Sequence, residues 1–443
     1  MSNFKRREFL KAIGGAGALG GLSLAGCATA ESVASTAKKA VGGGGKNVVV
    51  VGGGFAGATA AKYIKIFDPS INVTLVEYNK KYHTCPGGNW YLGGLRDMDS
   101  LTYSYDTLAS KHGVKVVHDW VTLVDSGAKT VKTNGGATLS YDRLVLAPGI
   151  DFKFGGVEGY TEADEATIPH AWKGGTQYEI LRRQLMDMKD GGVFVMVAPP
   201  NPYRCPPGPY ERISMVAHYL KEHKPKSKII LLDPKDKFSK EGLFKAGWTK
   251  LYGLGTDKSM LEVVQGPNAK VTKVDVKNRT VFAGELGEEV KADVLNFIPA
   301  QKAGRLAEAS GLTNEAGWCD VNQKTWESKV APGVHIIGDA AVAGALPKSG
   351  YAANSEAKVC AAAVVSLLNG KEPVAPSWVN TCYSLVGPSY GISVAGVYTL
   401  DEKGVVADVK GAGGVTPATA NNFETEAFYA GSWYTNIVED TFG

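Results

Sequence analysis

The sequence predicts an α/β protein with two domains of the dinucleotide-binding type and a small C-terminal α+β domain. Three observations lead to this prediction. Residues 46–77 show a strand, a glycine-rich turn, a helix and a second strand, and residues 191–232 repeat the strand–helix–strand order. From Pro373 onward, short aromatic segments broken by glycine and proline replace that order. The 443 residues are enough for two or three domains.

Composition and charge exclude several other classes of protein. Hydrophobic residues make up 44% and charged residues 21%, as in soluble globular proteins, and no run of about 18 apolar residues predicts a membrane span. The first 30 residues hold +3 of the formal net charge of +4, so the remainder, at about +1, does not predict binding to nucleic acid or to an anionic membrane. No Cys/His cluster has metal-site spacing, and no Cys-x-x-Cys-His motif is present, so we expect neither a metal nor a haem on this chain.

Residues 1–30 predict a twin-arginine signal peptide. Arg6 and Arg7 precede a weakly apolar, glycine-rich run that ends in small residues suited to cleavage. That route carries folded proteins, so we expect a periplasmic protein whose cofactor is inserted before export. Cys27 also lies in the pattern of a lipobox, where it would carry a lipid anchor, whereas cleavage after position 30 would remove it; the sequence leaves both open. Residues 31–45 predict a linker.

The first strand–helix–strand unit carries a dinucleotide-binding fingerprint. Gly52, Gly54 and Gly57 stand between the strand and the helix, and Glu77 ends the second strand, 20 residues after Gly57. Glycines at these positions let the backbone approach a pyrophosphate at the helix N-terminus, and the carboxylate accepts hydrogen bonds from the adenosine ribose. A tight turn without a ligand is the alternative.

A later motif indicates FAD as the dinucleotide. Asp339 follows the apolar strand 334–337, at the point where flavoproteins with two dinucleotide domains place an aspartate against the ribityl chain. A helix N-cap is the alternative role for this residue. Together with the fingerprint, the motif predicts a discontinuous FAD-binding domain formed by residues 46–155 and 300–372.

The second domain, residues 156–299, lacks the fingerprint. After the strand 191–198, the turn that would read Gly-x-Gly-x-x-Gly consists of the proline-rich residues 199–209. Proline has no N–H to donate to a pyrophosphate, so the domain predicts no NAD(P)H binding. Cys205 lies where that nucleotide would have been.

Several longer runs are specific to one family. They are Val48–Lys65, Tyr82–Cys85, Pro169–Lys173, Arg204–Arg212, Pro347–Tyr351, Asn380–Tyr383 and Ser432–Tyr434. On these runs the chain resembles the flavin-binding subunit of flavocytochrome c sulfide dehydrogenase, a relative of the sulfide:quinone oxidoreductases among the glutathione-reductase-like flavoproteins. The resemblance covers essentially the whole chain after the signal peptide. It implies that residues 373–443 form the interface domain toward a cytochrome.

The resemblance assigns roles to three of the five cysteines that follow the signal peptide. It implies that Cys85 forms a thioether with the flavin 8α-methyl group, although residues 86–88 depart from the family pattern and a buried free cysteine is the alternative. It also implies that Cys205 and Cys382 form a redox-active disulfide beside the flavin. A structural bridge between domains, common in oxidising compartments, is the alternative for this pair.

Three more residues receive a role by resemblance. Glu211 would accept a proton beside the disulfide, or its carboxylate would only complement the helix dipole in a first turn. Lys348 would offer positive charge to the reduced flavin, or it would lie in solvent. Trp433 would lie close to the flavin and the partner, or it would serve packing.

The implied activity is the oxidation of hydrosulfide. Sulfide or polysulfide would open the disulfide, and the electrons would pass through FAD to a c-type cytochrome subunit on another chain. Two alternatives remain: a sulfide:quinone oxidoreductase, which needs an amphipathic C-terminus to dock on a membrane, and an auxiliary flavoprotein that acts on a sulfur-carrier protein. Residues 427–443 mix aromatic with polar and acidic side chains, which favours a protein interface over a membrane.

Overall fold

The computed structural model describes residues 45–417 and 419–443. The predicted signal peptide, Cys27 and all but the last residue of the predicted linker lie outside the described residues. Among the described helices, none combines the length with the apolar character that crossing a membrane requires.

A seven-stranded sheet forms the centre of the first domain. Its spatial order is Val321–Asn322, Glu327–Ser328, Val334–Ile336, Arg143–Leu146, Asn47–Val51, Asn72–Val76 and Lys115–Val117. The last five strands run parallel, and the first two pair antiparallel at one edge. The central strands are continuous apolar runs because helices or other layers cover both faces of the parallel part.

The second domain repeats this design with four parallel strands. Their order is Leu261–Gln265, Lys228–Asp233, Val193–Val197 and Val294–Phe297. The smaller antiparallel sheets are Val121–Asp125, Thr130–Thr133 and Thr138–Ser140; Val271–Asp275, Thr280–Ala283 and Glu288–Lys291; Lys81–His83 with Thr102–Ser104; and Ile150–Phe152 with Gln301–Ala303. The last pair lies where the chain crosses between the two domains, next to the boundaries expected at residues 155 and 300.

The described residues contain nine α-helices and four short 3₁₀ turns. The helices are α1 (Phe55–Phe67), α2 (Gly88–Leu92), α3 (Asp106–Ser110), α4 (Thr176–Asp187), α5 (Gly208–His223), α6 (Glu241–Tyr252), α7 (Arg305–Ala309), α8 (Gly350–Leu368) and α9 (Phe423–Phe442). The 3₁₀ turns are Asp99–Leu101, Glu162–Ala166, Pro267–Ala269 and Gly338–Ala340. Helix α5 begins three residues before Glu211, because Pro209 has the backbone angle that a first helical turn requires.

The C-terminal domain differs most from the sequence expectation. Short segments were expected, but Ser377–Gly387 and Tyr390–Leu400 form an antiparallel hairpin of two eleven-residue strands. Val406–Asp408 and Gly414–Val415 both pair with its second strand. The 20-residue helix α9 covers the hairpin. The predicted fold class, two dinucleotide-binding-type domains and a small C-terminal α+β domain, is therefore confirmed, while the C-terminal elements are longer than expected.

The last turn of α9 is tied to helix α1 and to helix α8. Lys62 Nζ donates to the carbonyls of Glu439 (3.3 Å) and Asp440 (3.0 Å), where a cation complements the C-terminal end of a helix dipole. Tyr63 Oη donates to Asp440 Oδ1 at 2.6 Å, and Asn354 Nδ2 donates to Asp440 Oδ2 at 2.8 Å. The helix that follows the glycine-rich turn is thus held by residues from the other end of the fold.

Candidate active site

A cavity of about 50 Å³ lies where the two dinucleotide-type domains, the hairpin and α9 meet. Residues that line it include Cys85, Trp172, Tyr178, Cys205, Glu211, Arg212, Ser349, Cys382, Ser384 and Trp433. The fold therefore brings the three cysteines singled out by the sequence to one small space.

Cys205 is fixed by its backbone. Its φ of +60° lies in the left-handed region, which costs about 1 kcal/mol for a residue with a Cβ. The N–H of Cys205 donates to the carbonyl of Lys348 (2.7 Å), and its own carbonyl accepts from Gly208 N (2.8 Å). A Cβ on Gly208 would lie 3.0 Å from Cys205 Sγ and 2.7 Å from the ring of Trp172. Glycine at 208 therefore lets α5 begin directly against the sulfur.

Cys382 reaches the cavity from the first strand of the hairpin. Its Sγ lies 3.6 Å from Asn380 Oδ1, which also accepts from Ser349 Oγ at 2.6 Å. Ser349 in turn caps α8 by accepting from Ala352 N at 3.0 Å. The sulfur thus belongs to a hydrogen-bonded chain that begins at a helix N-terminus.

The five cysteines in the described part of the chain are free thiols, so the Cys205–Cys382 disulfide stays a prediction. Burial raises the pKa of the Cys205 thiol well above its ordinary value, and Cys85, Cys382 and Glu211 raise it further. Burial also raises the pKa of the Cys382 thiol, whereas the ammonium of Lys240 is the largest opposing influence. Cys319 and Cys360 are fully buried in the core, as expected for cysteines without a role.

Glu211 lies in the first turn of α5 and is a hydrogen-bonding hub. Its Oε1 accepts from Trp90 Nε1 and from the backbone N–H of Leu385, both at 2.9 Å. Its Oε2 accepts from Asn89 Nδ2 at 2.9 Å. Through these three donors the carboxylate joins α2, α5 and the strand that carries Cys382. The predicted proton-accepting role is not tested by this geometry.

The Cys85 loop needs both glycines that follow it. Cys85 Sγ lies 4.0 Å from Tyr178 Oη. Gly87 has a φ of +83°, and a Cβ on Gly88 would lie 2.3 Å from the ring of Tyr178. The departure from the family pattern at residues 86–88 is therefore accommodated by a left-handed residue followed by close packing against an aromatic ring.

The glycine-rich turn has the geometry of a nucleotide cradle. Gly52 has a φ of +96°, and a Cβ on Gly57 would lie 1.8 Å from the Gly52 carbonyl, so neither position accepts a side chain. Gly54 is the N-cap of α1. Glu77, the residue predicted to bind the ribose, lies directly against the turn, because its Oε2 accepts a hydrogen bond from Gly53 N at 2.7 Å.

Asp339 and Lys348 lie on one loop. Asp339 is inside the 3₁₀ turn Gly338–Ala340 and is not its N-cap, so the capping alternative is wrong. Lys348 is not in solvent: its Nζ donates to the carbonyls of Asp339 and Ala341, both at 2.7 Å, and lies 4.1 Å from the centre of the Trp318 ring. The ammonium therefore fastens the loop that carries Asp339.

Unpartnered polar atoms at this loop test whether FAD fits. Arg204 Nε and Nη2 and Asp339 Oδ1 are buried and have no hydrogen-bond partner within the described residues. Arg204 Nη1 lies 3.8 Å from Asp339 Oδ2. Buried donors and acceptors of this kind need partners. An anionic pyrophosphate and ribityl hydroxyls have the matching charge and hydrogen-bonding groups, so these residues fit FAD.

Trp433 lines the cavity, and its ring stacks on Tyr351 with 6.3 Å between ring centres and an angle of 17°. Its Nε1 is buried without a partner in the described structure. The position serves packing and also leaves one donor next to the cavity.

At the corresponding edge of the second domain, the chain's own side chains contact the acidic residue that ends the second strand. Asp233 ends the second strand of that domain, where a dinucleotide domain holds the ribose. Its carboxylate accepts from Tyr210 Oη (2.7 Å) and pairs with Lys235 Nζ (2.6 Å). Lys235 Nζ also donates to the carbonyl of Pro199 at 2.7 Å. The absence of NAD(P)H binding stays a prediction.

Sequence reasoning missed two buried cations at the site. Arg212 is fully buried and donates to Asn89 Oδ1 (3.1 Å), Asn296 Oδ1 (3.0 Å) and the carbonyl of His170 (2.9 Å). It lies within a run that the resemblance singled out, which was the available signal. Lys240 belongs to no motif, and only the tertiary fold brings it beside Cys382.

Comparisons with known proteins agree with this fold. The model of the sulfide dehydrogenase (flavocytochrome c) flavoprotein chain, central part, matches residues 178–299, and that of the flavocytochrome c sulphide dehydrogenase flavin-binding region matches residues 374–442. The pyridine nucleotide-disulphide oxidoreductase model matches residues 46–186.

Individual relatives agree as well. A sulfide dehydrogenase (flavocytochrome c) flavoprotein chain of Chlorobaculum thiosulfatiphilum is 61% identical over 36 residues, which are 8% of this chain and 75% of that sequence. The mitochondrial sulfide:quinone oxidoreductase of Schizosaccharomyces pombe is 25% identical over 71% of this chain and 69% of its own length. The Mus musculus enzyme of the same name is 24% identical over 65% of this chain and 63% of its own length.

Among solved structures, the sulfide:quinone oxidoreductase of Aquifex aeolicus has a TM-score of 0.68 at 18% identity, covering 90% of this chain and 91% of that one. The NAD-dependent persulfide reductase from A. fulgidus has a TM-score of 0.61 at 21% identity, covering 81% of this chain and 64% of that one. These two structures show a shared fold. The sequence matches lead to a further conclusion: the chain belongs to the flavocytochrome c sulfide dehydrogenase flavoprotein family, which is related to the sulfide:quinone oxidoreductases.

Proposed function

We propose that the chain is the FAD-dependent subunit of a sulfide dehydrogenase that oxidises hydrosulfide through Cys205 and Cys382. One observation carries the proposal: both sulfurs, from separate domains, line the same small cavity together with Cys85. Cys382 reaches this cavity from the C-terminal hairpin and Cys205 from the loop before α5, so one small substrate can contact both sulfurs. Family membership supports flavin-dependent sulfide oxidation as the general reaction.

The protein's own sulfurs carry the substrate step. Hydrosulfide attacks Cys205 Sγ of the disulfide, a new S–S bond forms, and the Cys205–Cys382 bond breaks with Cys382 leaving as the thiolate. Two electrons thus enter the cysteine pair with the substrate. A second nucleophile then removes the sulfur that Cys205 carries. When the two cysteines close to the disulfide again, the two electrons leave the pair. FAD, when bound, supplies a carrier that accepts electrons in pairs and can release them singly, as a c-type haem requires.

The FAD-binding residues would be those of the two loops described above. The turn with Gly52, Gly54 and Gly57 and the N-terminus of α1 would hold the pyrophosphate. Glu77 would hold the ribose, and Asp339 the ribityl chain. Lys348 fastens the Asp339 loop, and Trp433 closes the cavity on the side of α9.

A c-type cytochrome subunit is the proposed electron acceptor, with residues 373–443 as the interface. The side chains of Phe428 and Tyr429 on α9 are 71% and 50% exposed, respectively, as expected of aromatic residues that a protein partner covers. The proposed location is the periplasm after twin-arginine export, with a lipid anchor at Cys27 as the alternative form. The relatives named as quinone oxidoreductases make a quinone the alternative acceptor.

Anaerobic stopped-flow absorbance tests this function. The holoprotein is mixed with sulfide alone, with sulfide and a c-type cytochrome, or with sulfide and a short-chain quinone. We expect the flavin band to bleach within seconds and haem reduction to follow when the cytochrome is present. A flavin that stays oxidised for minutes would support the auxiliary role on a sulfur carrier instead. Faster turnover with the quinone would contradict the cytochrome assignment.

The covalent attachment is tested by denaturing the protein. If Cys85 forms the thioether, the flavin stays with the unfolded polypeptide during filtration, because a covalent bond does not depend on the fold. We expect C85A to release essentially all of its flavin under the same conditions. The control variant C360A removes a buried cysteine of α8 outside the cavity and should retain it. Release of the flavin from the wild-type protein would contradict the linkage.

A further inference from the structure

Lys240 is a buried cation without an anionic partner. It is 8% exposed and precedes α6, with a left-handed φ of +59° that directs the chain inward. Its Nζ contacts Ser384 Oγ at 2.9 Å and two carbonyls, those of Ile392 (3.4 Å) and Cys382 (3.5 Å). Among the described residues, no carboxylate lies within 4.0 Å of this nitrogen. A buried charge with only neutral partners is costly, so its position requires a reason.

The strand geometry places this charge on the reactive side of the hairpin. Side chains alternate along a strand, so Cys382 and Ser384 point to the same face, about 7 Å apart along the chain. Both line the cavity. The ammonium bonded to Ser384 therefore lies on the face that carries the Cys382 sulfur. Coulomb attraction between the two groups is screened less in a buried site than in water.

The carboxylates near Lys240 attract its ammonium without forming an ion pair with it. Glu211, on α5, has the largest influence among the acidic side chains, and its oxygens are hydrogen-bonded to Asn89, Trp90 and the backbone of Leu385. Glu426, on α9, has a weaker influence than Cys382, Glu211 and Cys205. The group with the largest favourable effect on the charged lysine is the Cys382 sulfur in its anionic form.

We propose that Lys240 is a positioning residue for the redox cysteines, because its ammonium group supplies the counter-charge for the thiolate that forms on Cys382 when the disulfide opens. The inference rests on the proposed function. When hydrosulfide bonds to Cys205 Sγ and the Cys205–Cys382 bond breaks, the negative charge of the substrate moves to Cys382 Sγ, and no further oxidant or proton is needed. A cation on the Cys382 side makes this sulfur the leaving group and leaves the sulfane sulfur on Cys205.

The effect of Lys240 on the Cys382 sulfur is expected to decrease as the pH rises. Burial lowers the pKa of Lys240 to about 8. Negative charge on Cys382, Glu211, Cys205 and Glu426 acts in the opposite direction and raises this pKa. The lysine is therefore charged below about pH 8 and loses its effect as the pH rises above that value. Loss of the charge removes the largest influence that lowers the pKa of the Cys382 thiol, so that pKa must rise in a variant without the cation.

Thiol alkylation of the reduced holoprotein tests the inference without sulfide. The rate of carbamidomethylation by iodoacetamide is measured at Cys382 and at Cys205 from pH 6 to 10 by peptide mass spectrometry. We expect Cys382 to titrate at a lower pH than Cys205 in the wild-type protein. In K240M, alkylation of Cys382 at pH 7.5 should fall about tenfold, which corresponds to a rise of about one pKa unit.

Matched variants separate charge from packing. K240R keeps the charge and should retain the wild-type profile, whereas K240Q keeps a hydrogen-bonding group without the charge and should behave as K240M. K245M makes the same change at a half-exposed position within α6, the helix that Lys240 precedes, and should change nothing. An unchanged Cys382 profile in both K240M and K240Q overturns the inference. If these variants do not fold, the wild-type protein alone decides. Alkylation of Cys205 that sets in at a lower pH than that of Cys382 would also overturn the inference.

The two proposals fail in different ways. A wild-type flavin that sulfide does not bleach contradicts the sulfide dehydrogenase function and leaves the order of the two thiols intact. Normal bleaching with an unchanged profile in the lysine variants contradicts only the role of Lys240.

Discussion

Replacing Cys205 or Cys382 with serine is expected to lower the rate of sulfide-dependent flavin bleaching by at least about 10³-fold, with FAD still bound. The loss follows from the chemistry, because a serine oxygen forms no disulfide and accepts no sulfur from hydrosulfide. The two cysteines act as one unit, so the double variant should be no slower than either single variant. Stopped-flow absorbance under anaerobic conditions measures the rate, and the flavin spectrum verifies that the cofactor is present.

The matched control is C360A, which removes a buried thiol outside the cavity. It should bleach at a rate close to that of the wild-type protein. Retention of normal bleaching in C205S or C382S would refute the disulfide mechanism, whereas a loss in C360A would show that any cysteine deletion disturbs the fold.

Replacing Arg212 with methionine is expected to lower the free energy of unfolding by about 3–5 kcal/mol. The side chain is fully buried, and its donors satisfy Asn89 Oδ1, Asn296 Oδ1 and the carbonyl of Ala171. Methionine fills much of the same volume but leaves these oxygens without that partner in a region closed to water. The guanidinium also lies 4.8 Å from the centre of the Trp172 ring, so the cavity wall should loosen.

Denaturation of the holoprotein by urea, followed by tryptophan fluorescence and by flavin release, measures this effect. R183M, an exposed arginine on α4, is the control and should shift stability by less than about 0.5 kcal/mol. A loss below about 1 kcal/mol in R212M would mean that water or a rearranged side chain satisfies the exposed oxygens.

Much of the first two domains follows from local pattern. Residues that are neighbours in the chain are enough to predict the apolar strands 47–51 and 193–197 and the turn with Gly57. They are also enough to show that residues 199–209 do not form a glycine-rich turn. Residues 143–152 form two strands and not one, because Gly149 has a φ of +64° and separates Arg143–Leu146 from the strand that starts at Ile150.

The remainder depends on contacts between residues distant in sequence. Neither the pattern around Cys205 nor that around Cys382 indicates that the hairpin reaches the start of α5; their proximity came only from the family resemblance. Lys240 is adjacent to charged and polar residues in sequence and reads as a surface lysine. Its burial is a property of the assembled hairpin, since its hydrogen-bonding partners all lie on the strands around Ser384 and Ile392.

The tie between α1 and the last turn of α9 also has a consequence for the order of assembly during biosynthesis. The contact from Lys62 to Asp440 spans 378 residues, so a ribosome that adds about 5–20 residues per second needs about 20–75 s to supply the second partner after the first. Throughout that interval the helix after the nucleotide-binding turn lacks its contacts with α9. A nascent chain interrupted before α9 would therefore present this helix incompletely packed to chaperones and proteases.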